Sequence, residues 1–255
     1  MNTQFQQSFQ QKWEQYFPGA ELPVAYSYAD EVTDEERLDS RDQEHCVIAC
    51  FARVRQGHTF VYSADSPGCM GWRRYTGFSK TLRPNFEFFL SCGIPGELEG
   101  ERYKESPELV RRYMESHRVL QAPGRFLVLK RWDKLAAHDR PVAVVFFATP
   151  DVLSGLFALA NYDRADPHGV IAPMGAGCST IVNYPWWEAQ SDQPRCVLGM
   201  FDVSARPQMA AGELTFAIPF ARFEQMVAKM DESFLITASW GRVRERIRRA
   251  APAVA

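Results

Sequence analysis

Two cysteines stand on glycine-rich turns, and their residue types and setting suit them to chemistry. Cys69 lies in Ser66-Pro-Gly-Cys-Met-Gly71 and Cys178 in Gly175-Ala-Gly-Cys-Ser-Thr180. A glycine directly before a cysteine permits positive φ and a close approach of a ligand to the backbone. Each turn leads from a strand-like run toward a helical one. Each thiol is therefore expected near a helix N-terminus, whose field favours thiolate. Two converging thiolates would bind zinc or an iron–sulfur cluster, which makes Cys69 and Cys178 the candidate metal ligands. Two sulfurs do not saturate a tetrahedral zinc, so an open position or ligands from a second copy in a homo-oligomer would complete it. The chain has no Cys-x-x-Cys, and His45, His58, His117, His138 and His168 have no ligand spacing to a cysteine. That argues against a zinc ribbon or a bacterial ferredoxin.

The same turns support two readings without a metal. Cys178 could act as a nucleophile or redox thiol, although the sequence names no base for it. Alternatively the protein is a non-catalytic binding module for a small anionic or planar ligand. Free amides around Gly177, with the Ser179 hydroxyl, could cradle an anion. The turn lacks the lysine of a P-loop and the third glycine of a dinucleotide fingerprint. Arg206, in Asp202-Val-Ser-Ala-Arg206, could hold a carboxylate or phosphate in its fork; the plainer reading makes Ser204 a helix cap and Arg206 a surface residue. Tyr184, Trp186 and Trp187 could wall a flat ligand or simply fill core. Cys46 and Cys50, four apart in an apolar segment, read as small buried hydrophobes. Cys92 and Cys196 are assigned no role.

The elements that must position these residues follow from periodicity. Phe5, Phe9, Trp13 and Phe17 recur every fourth residue, which predicts an amphipathic first helix closed by Pro18-Gly19. Strands are expected at residues 22–28, 58–64, 126–129, 142–147, 170–174, 196–202 and 214–218. The apolar run Pro141-Val-Ala-Val-Val-Phe-Phe-Ala148 suits a strand covered on both faces. Helices are expected over 45–56, within 84–104, from Ser106-Pro to about Val119, from Thr149-Pro-Asp, around Tyr184–Trp187, and from Pro219 inward. The alternation predicts an α/β or interleaved α+β class: a mixed sheet with flanking helices, packed as one domain of two pseudo-repeated halves if the paired Gly-Cys turns reflect a duplication. The first 39 residues read as a helix plus an acidic segment, 40–250 as the domain, and 251–255 as a flexible tail.

Composition narrows the partners. Hydrophobic residues form 46% and charged residues 24% of the 255, which excludes collagen, coiled coil and wholesale disorder. The net charge of −2 leaves no whole-chain footprint for nucleic acid. Charge is uneven: Asp30–Glu44 holds eight acids and two arginines, and Trp240–Arg249 five arginines and one glutamate. Both read as solvated faces. No apolar run approaches the roughly 20 residues of a membrane span, and no secretory signal opens the chain. A cytoplasmic protein with a small-molecule ligand is the expectation, its cysteines thiols or ligands rather than disulfides.

Several strings together resemble the bacterial and archaeal family catalogued as domain of unknown function 169. They are Gly68-Cys-Met-Gly-Trp-Arg-Arg-Tyr-Thr-Gly-Phe78, Phe146-Phe-Ala-Thr-Pro-Asp-Val-Leu-Ser-Gly155, Gly175-Ala-Gly-Cys178, Phe201-Asp-Val-Ser-Ala-Arg-Pro207, Glu213-Leu-Thr-Phe-Ala-Ile-Pro219, and Ser233-Phe-Leu-Ile-Thr237 with Trp240. The resemblance covers roughly residues 40–248. It implies a shared site at the matched positions and adds Tyr75 to the ligand-binding candidates Arg206, Ser179 and Gly177. It chooses no chemistry among metal, cluster, cofactor and thiol. Met70 and Trp72 flank Gly71 where relatives often carry further glycines, which narrows the approach of a ligand to the first turn.

Overall fold

Alternation along one strand builds both cores of the molecule. In Ala143–Ala148 (β4) every residue is buried. Successive side chains of a strand point to opposite faces. Val144, Phe146 and Ala148 accordingly enter one apolar cluster, and Ala143, Val145 and Phe147 enter another. The computed structural model describes residues 1–33 and 46–250. Most of the acidic segment and the expected flexible tail lie outside the described residues.

The sheet is mixed and has seven strands among the described residues. β4 pairs antiparallel with β1 (Val24–Ala29) on one side and β7 (Leu214–Pro219) on the other. With β2 (Phe60–Ser63), β3 (Phe126–Arg131), β5 (Val170–Ile171) and β6 (Cys196–Gly199), the order is β2-β3-β1-β4-β7-β6-β5. β5 and β6 run parallel, whereas the pairs on the β2 side are antiparallel. The expected repetition of two halves is therefore not seen in the sheet. Strand β6 stops at Gly199, short of the expected 202, because Met200 takes a left-handed backbone conformation (φ 67°) that a strand cannot continue.

One face is covered by α1 (Thr3–Tyr16), α6 (Pro150–Asn161), α8 (Phe220–Lys229) and α9 (Ala238–Ala250). Asn2 caps α1 by accepting from the Gln4 and Phe5 amides. The four-residue aromatic spacing does what amphipathicity predicts: Phe9, Trp13 and Phe17 are buried together, with Trp13 stacked on Phe17 at 4.2 Å. A Cβ on Gly155 would come within 2.4 Å of Trp240 and 2.6 Å of Phe17, so that glycine is a packing requirement of α6. Helix α9 is more than the surface helix its arginines suggest. Trp240 and Ile247 are buried, and the Trp240 indole N–H donates to the Tyr16 carbonyl at 2.9 Å.

The other face is covered by shorter pieces. A 3-10 turn (Val47–Cys50) runs into α2 (Phe51–Arg55), and α3 (Met70–Tyr75) follows β2. Ser106 caps α5 (Pro107–Ser116), accepting from the Leu109 amide at 3.2 Å. A helix opening at Gly177 widens into a π-helical turn over Ser179–Asn183 and continues as α7 (Tyr184–Ala189). Residues 79–105 hold one four-residue helix, α4 (Phe86–Phe89), and a bridge between Ile94 and Leu98. No residue of that excursion belongs to either apolar cluster.

Candidate functional site

The excursion instead roofs a cavity of about 830 Å³ on the second face. Its walls are α3, residues 81–104, Tyr113 of α5, the 174–178 turn and the 202–205 loop, with Cys46 and Ile48 behind. The two remote Gly-Cys turns do meet here, since Cys69 and Cys178 both line the cavity, as do Tyr75 and Gly177. Cys46 packs against the second core, as read from sequence, and also reaches the same wall. Ser179 and Arg206 do not line it.

The two thiols differ from expectation and from each other. Cys69 is exposed and caps α3, its Sγ accepting from the Trp72 amide at 3.4 Å. Cys178 is only 7% exposed, and burial pushes its thiol well above the ordinary range. A helix N-terminus offers about 0.3–1 kcal/mol to a negative charge. Full burial shifts a pKa by up to roughly 3–5 units. Burial wins, so Cys178 is a neutral thiol rather than the expected thiolate. Burial also raises Cys46.

The glycines of these turns serve packing. Gly68, Gly175 and Gly177 do not have positive φ. A Cβ on Gly68 would sit 2.9 Å from the Tyr62 hydroxyl, and one on Gly177 2.6 Å from the Met200 sulfur. The amide cradle at Gly177 already holds an anion, the protein's own Asp202. One Asp202 carboxylate oxygen accepts from the Gly177 N–H at 3.0 Å. The other accepts from the Ser204 N–H at 3.1 Å and the Ser204 hydroxyl at 2.8 Å. The left-handed Met200 turns the chain so that Asp202 reaches back to that helix start. Tyr103, at the end of the excursion, donates to Asp202 at 3.4 Å and accepts from the Ser204 N–H at 3.0 Å, which ties the roof to the floor loop.

Arg206 is spent elsewhere. Its guanidinium donates to the carbonyls of Glu213, Ala210 and Ala211 at 2.6, 3.3 and 2.9 Å, holding the turn before β7. Ser179 is fully buried, its hydroxyl 3.4 Å from His117 Nε2. His117 Nε2 also lies 3.4 Å from the Asn183 amide nitrogen, and Nδ1 lies 3.2 Å from the Tyr184 hydroxyl. Burial, with the nearby Arg74 charge, pushes His117 down to about 4, so it is neutral near pH 7. This cluster stitches the end of α5 to the helix carrying Cys178. Trp186 and Trp187 pack against the second core rather than the cavity, and Arg118 stacks on Trp187 at 3.9 Å.

Charge on the cavity wall is mixed. Arg83 lies over the Phe89 ring at 4.1 Å and Lys104 over the Tyr113 ring at 4.7 Å. Arg74 donates to the Lys80 carbonyl, and its Nε is buried without a partner. Glu97, Glu101 and Asp202 supply the acids. Among the described residues, no group of three or more His, Cys, Asp or Glu side chains is placed to hold a metal ion. No helix there is long and apolar enough to cross a membrane.

The DUF169 model, described as "Uncharacterised ArCR, COG2043", matches residues 20–229. The chain belongs to this family. The match begins before the expected residue 40 and ends before the expected 248, so the central strand β1 falls inside it and the Ser233–Thr237 and Trp240 string outside; it spans every residue of the cavity wall. No curated protein and no solved structure matches the chain.

Proposed function

We propose that this DUF169 protein binds a small, mainly apolar molecule in the cavity beneath residues 79–105. The observation that carries the reading is the cavity itself. Its volume of about 830 Å³ falls in the range of small-molecule sites. Leu82, Phe86, Phe89, Leu90 and Leu98 of the roof turn toward it while joining neither core. A segment whose apolar side chains are left out of the core gains its missing contacts from a guest. The reading deepens the binding-module alternative and stands ahead of the thiol enzyme, because burial disfavours the Cys178 thiolate and no base among the described residues is hydrogen-bonded to it. A metal or cluster at Cys69 and Cys178 ranks second: Cys46 shares their wall, but among the described residues no three such side chains are grouped to hold a metal ion. Metal per chain that is unchanged in Cys69→Ser and Cys178→Ser protein would remove it.

Gly71 offers a clean test. It lines the cavity within α3, and a Cβ there meets only the Cys69 sulfur, at 4.0 Å. Gly71→Leu would start from an unobstructed Cβ, add bulk to the cavity wall, and replace a poor helix former by a good one. The fluorescent probe 1-anilinonaphthalene-8-sulfonate should bind the wild-type protein saturably and raise its Tm. Gly71→Leu should keep or raise the unliganded Tm and weaken the probe by about tenfold or more. Equal affinity in both proteins would refute the cavity as the binding site.

A further inference from the structure

Tyr75, Tyr103 and Tyr113 line the cavity, Tyr184 bonds to its Met174, and one of the four differs from its neighbours. The Tyr103 hydroxyl is engaged by Asp202 and Ser204. Tyr113 donates to the Met174 carbonyl at 2.9 Å, and the Tyr184 hydroxyl meets His117 and Met174. Tyr75 also lines the cavity and is 6% exposed, its ring packed edge-on against His117 at 5.3 Å. Its hydroxyl makes no hydrogen bond to any described residue, yet it is not among the sealed polar atoms that lack a partner. The hydroxyl therefore reaches open cavity. In a mainly apolar cavity that hydroxyl is a polar point open to a guest, and a guest that covers it without bonding to it would bear the cost of a buried, unpaired hydroxyl.

The surroundings select the partner's chemistry. Arg74, next in the helix, has only donors to offer, and its Nε is unsatisfied. The Cys178 thiol on the same wall is a weak donor and only a weak acceptor. The nearby acceptor, Asp202, is already met by the Gly177 and Ser204 amides and the Ser204 hydroxyl. What is missing beside Tyr75 is an acceptor. We propose that the Tyr75 hydroxyl is the polar anchor of the cavity, donating a hydrogen bond to a carbonyl-type oxygen on an otherwise apolar ligand. The proposal rests on the binding reading above. Burial holds the phenol protonated, which keeps it a donor.

The test uses three naphthalenes of one shape. The ketone 6-propionyl-2-(dimethylamino)naphthalene carries the oxygen, and its 6-propyl analogue lacks it. The wild-type protein should bind the ketone about fivefold tighter than the propyl compound, the worth of one net hydrogen bond. Tyr75→Phe removes only the unbonded oxygen, so the fold has nothing to lose. It should erase the fivefold gap, shift the bound ketone's emission to the blue, and leave propyl affinity within about twofold. A gap that persists in Tyr75→Phe protein overturns the anchor while sparing the cavity. Failure of both compounds to bind wild-type protein overturns the cavity reading and the anchor with it. The third probe, 6-(dimethylamino)-2-naphthoate, identifies the oxygen's source. Tighter, Tyr75-dependent binding than the ketone assigns it to an acid, with Arg74 as counter-charge; weaker binding assigns it to a neutral carbonyl.

Discussion

The two faces of the sheet draw on the same strands and come out differently. On the α1 face, large rings close every gap: Phe9, Trp13, Phe17, Trp132, Phe146 and Phe223 interlock at centroid distances of 4.2–6.3 Å. Its cysteine, Cys196, is fully buried beside the Met226 sulfur. On the α3 face the sheet is as apolar, but what lies above it is small or tied down by polar contacts. Gly71, Ala176, Gly177 and Cys178 leave room, and the roof is held by Tyr103 on Ser204, Lys104 on Tyr113, and an exposed Arg111–Glu87 ion pair at 3.2 Å. Exposed pairs contribute at most about 1 kcal/mol each. One face is built for stability, and the other gives up packing to keep a space.

That contrast breaks most readily at Trp13. Trp13→Ala should cost about 3–5 kcal/mol in urea unfolding, because it opens a hole among rings that cannot collapse. The affinity for 1-anilinonaphthalene-8-sulfonate should stay as in wild type, since the hole lies across the sheet from the cavity. A matching loss of affinity would mean that the two faces are not separable. Gly71→Leu is the mirror experiment, with binding lost and stability kept.

Much of the fold was legible in the sequence, and the reason is periodicity. The i, i+4 rings foretold α1, the Ser106-Pro107 cap foretold α5, and the unbroken apolar run of 142–147 foretold a strand covered on both sides. The site was legible only in part. Cys69 and Cys178 do share a cavity, but a cavity wall uses the residue types of a core, so Cys46 was indistinguishable from packing. Asp202 needed the left-handed Met200 to reach the Gly177 amide, and no local pattern announces a positive φ at methionine. Residues 84–104 read as a helix and polar surface because a roof has no face of its own to display.

His117 sharpens the comparison by pH. Its pKa is pushed down to about 4 in the folded protein, below the ordinary 6.5. The unfolded chain therefore binds the proton more readily, and stability rises with pH between these values. The contribution is whole above pH 6.5 and is lost as pH falls toward 4. It amounts to roughly 2 kcal/mol over that window. Urea unfolding should show less stability at pH 4.5 than at pH 7.5, and the difference should shrink by about that amount in His117→Gln. An unchanged difference would place the acid sensitivity elsewhere, for instance on the α1 face.

Arg206 gives the smallest effect and settles what kind of residue it is. An arginine that binds ligand loses affinity when truncated; one that binds carbonyls loses stability. Arg206 spans the carbonyls of Ala210, Ala211 and Glu213, a set that a single ammonium cannot reach as a fork. Arg206→Ala should therefore lower stability by about 1 kcal/mol, the net worth of such bonds at a half-exposed turn. Arg206→Lys should recover little of it, and the anionic naphthalene sulfonate should bind both variants as it binds wild type. If the probe weakened tenfold while the urea midpoint held, the guanidinium would have to swing off the 210–213 turn to meet the anion. The carbonyls it leaves would then need water, which that part-buried turn would have to open to admit.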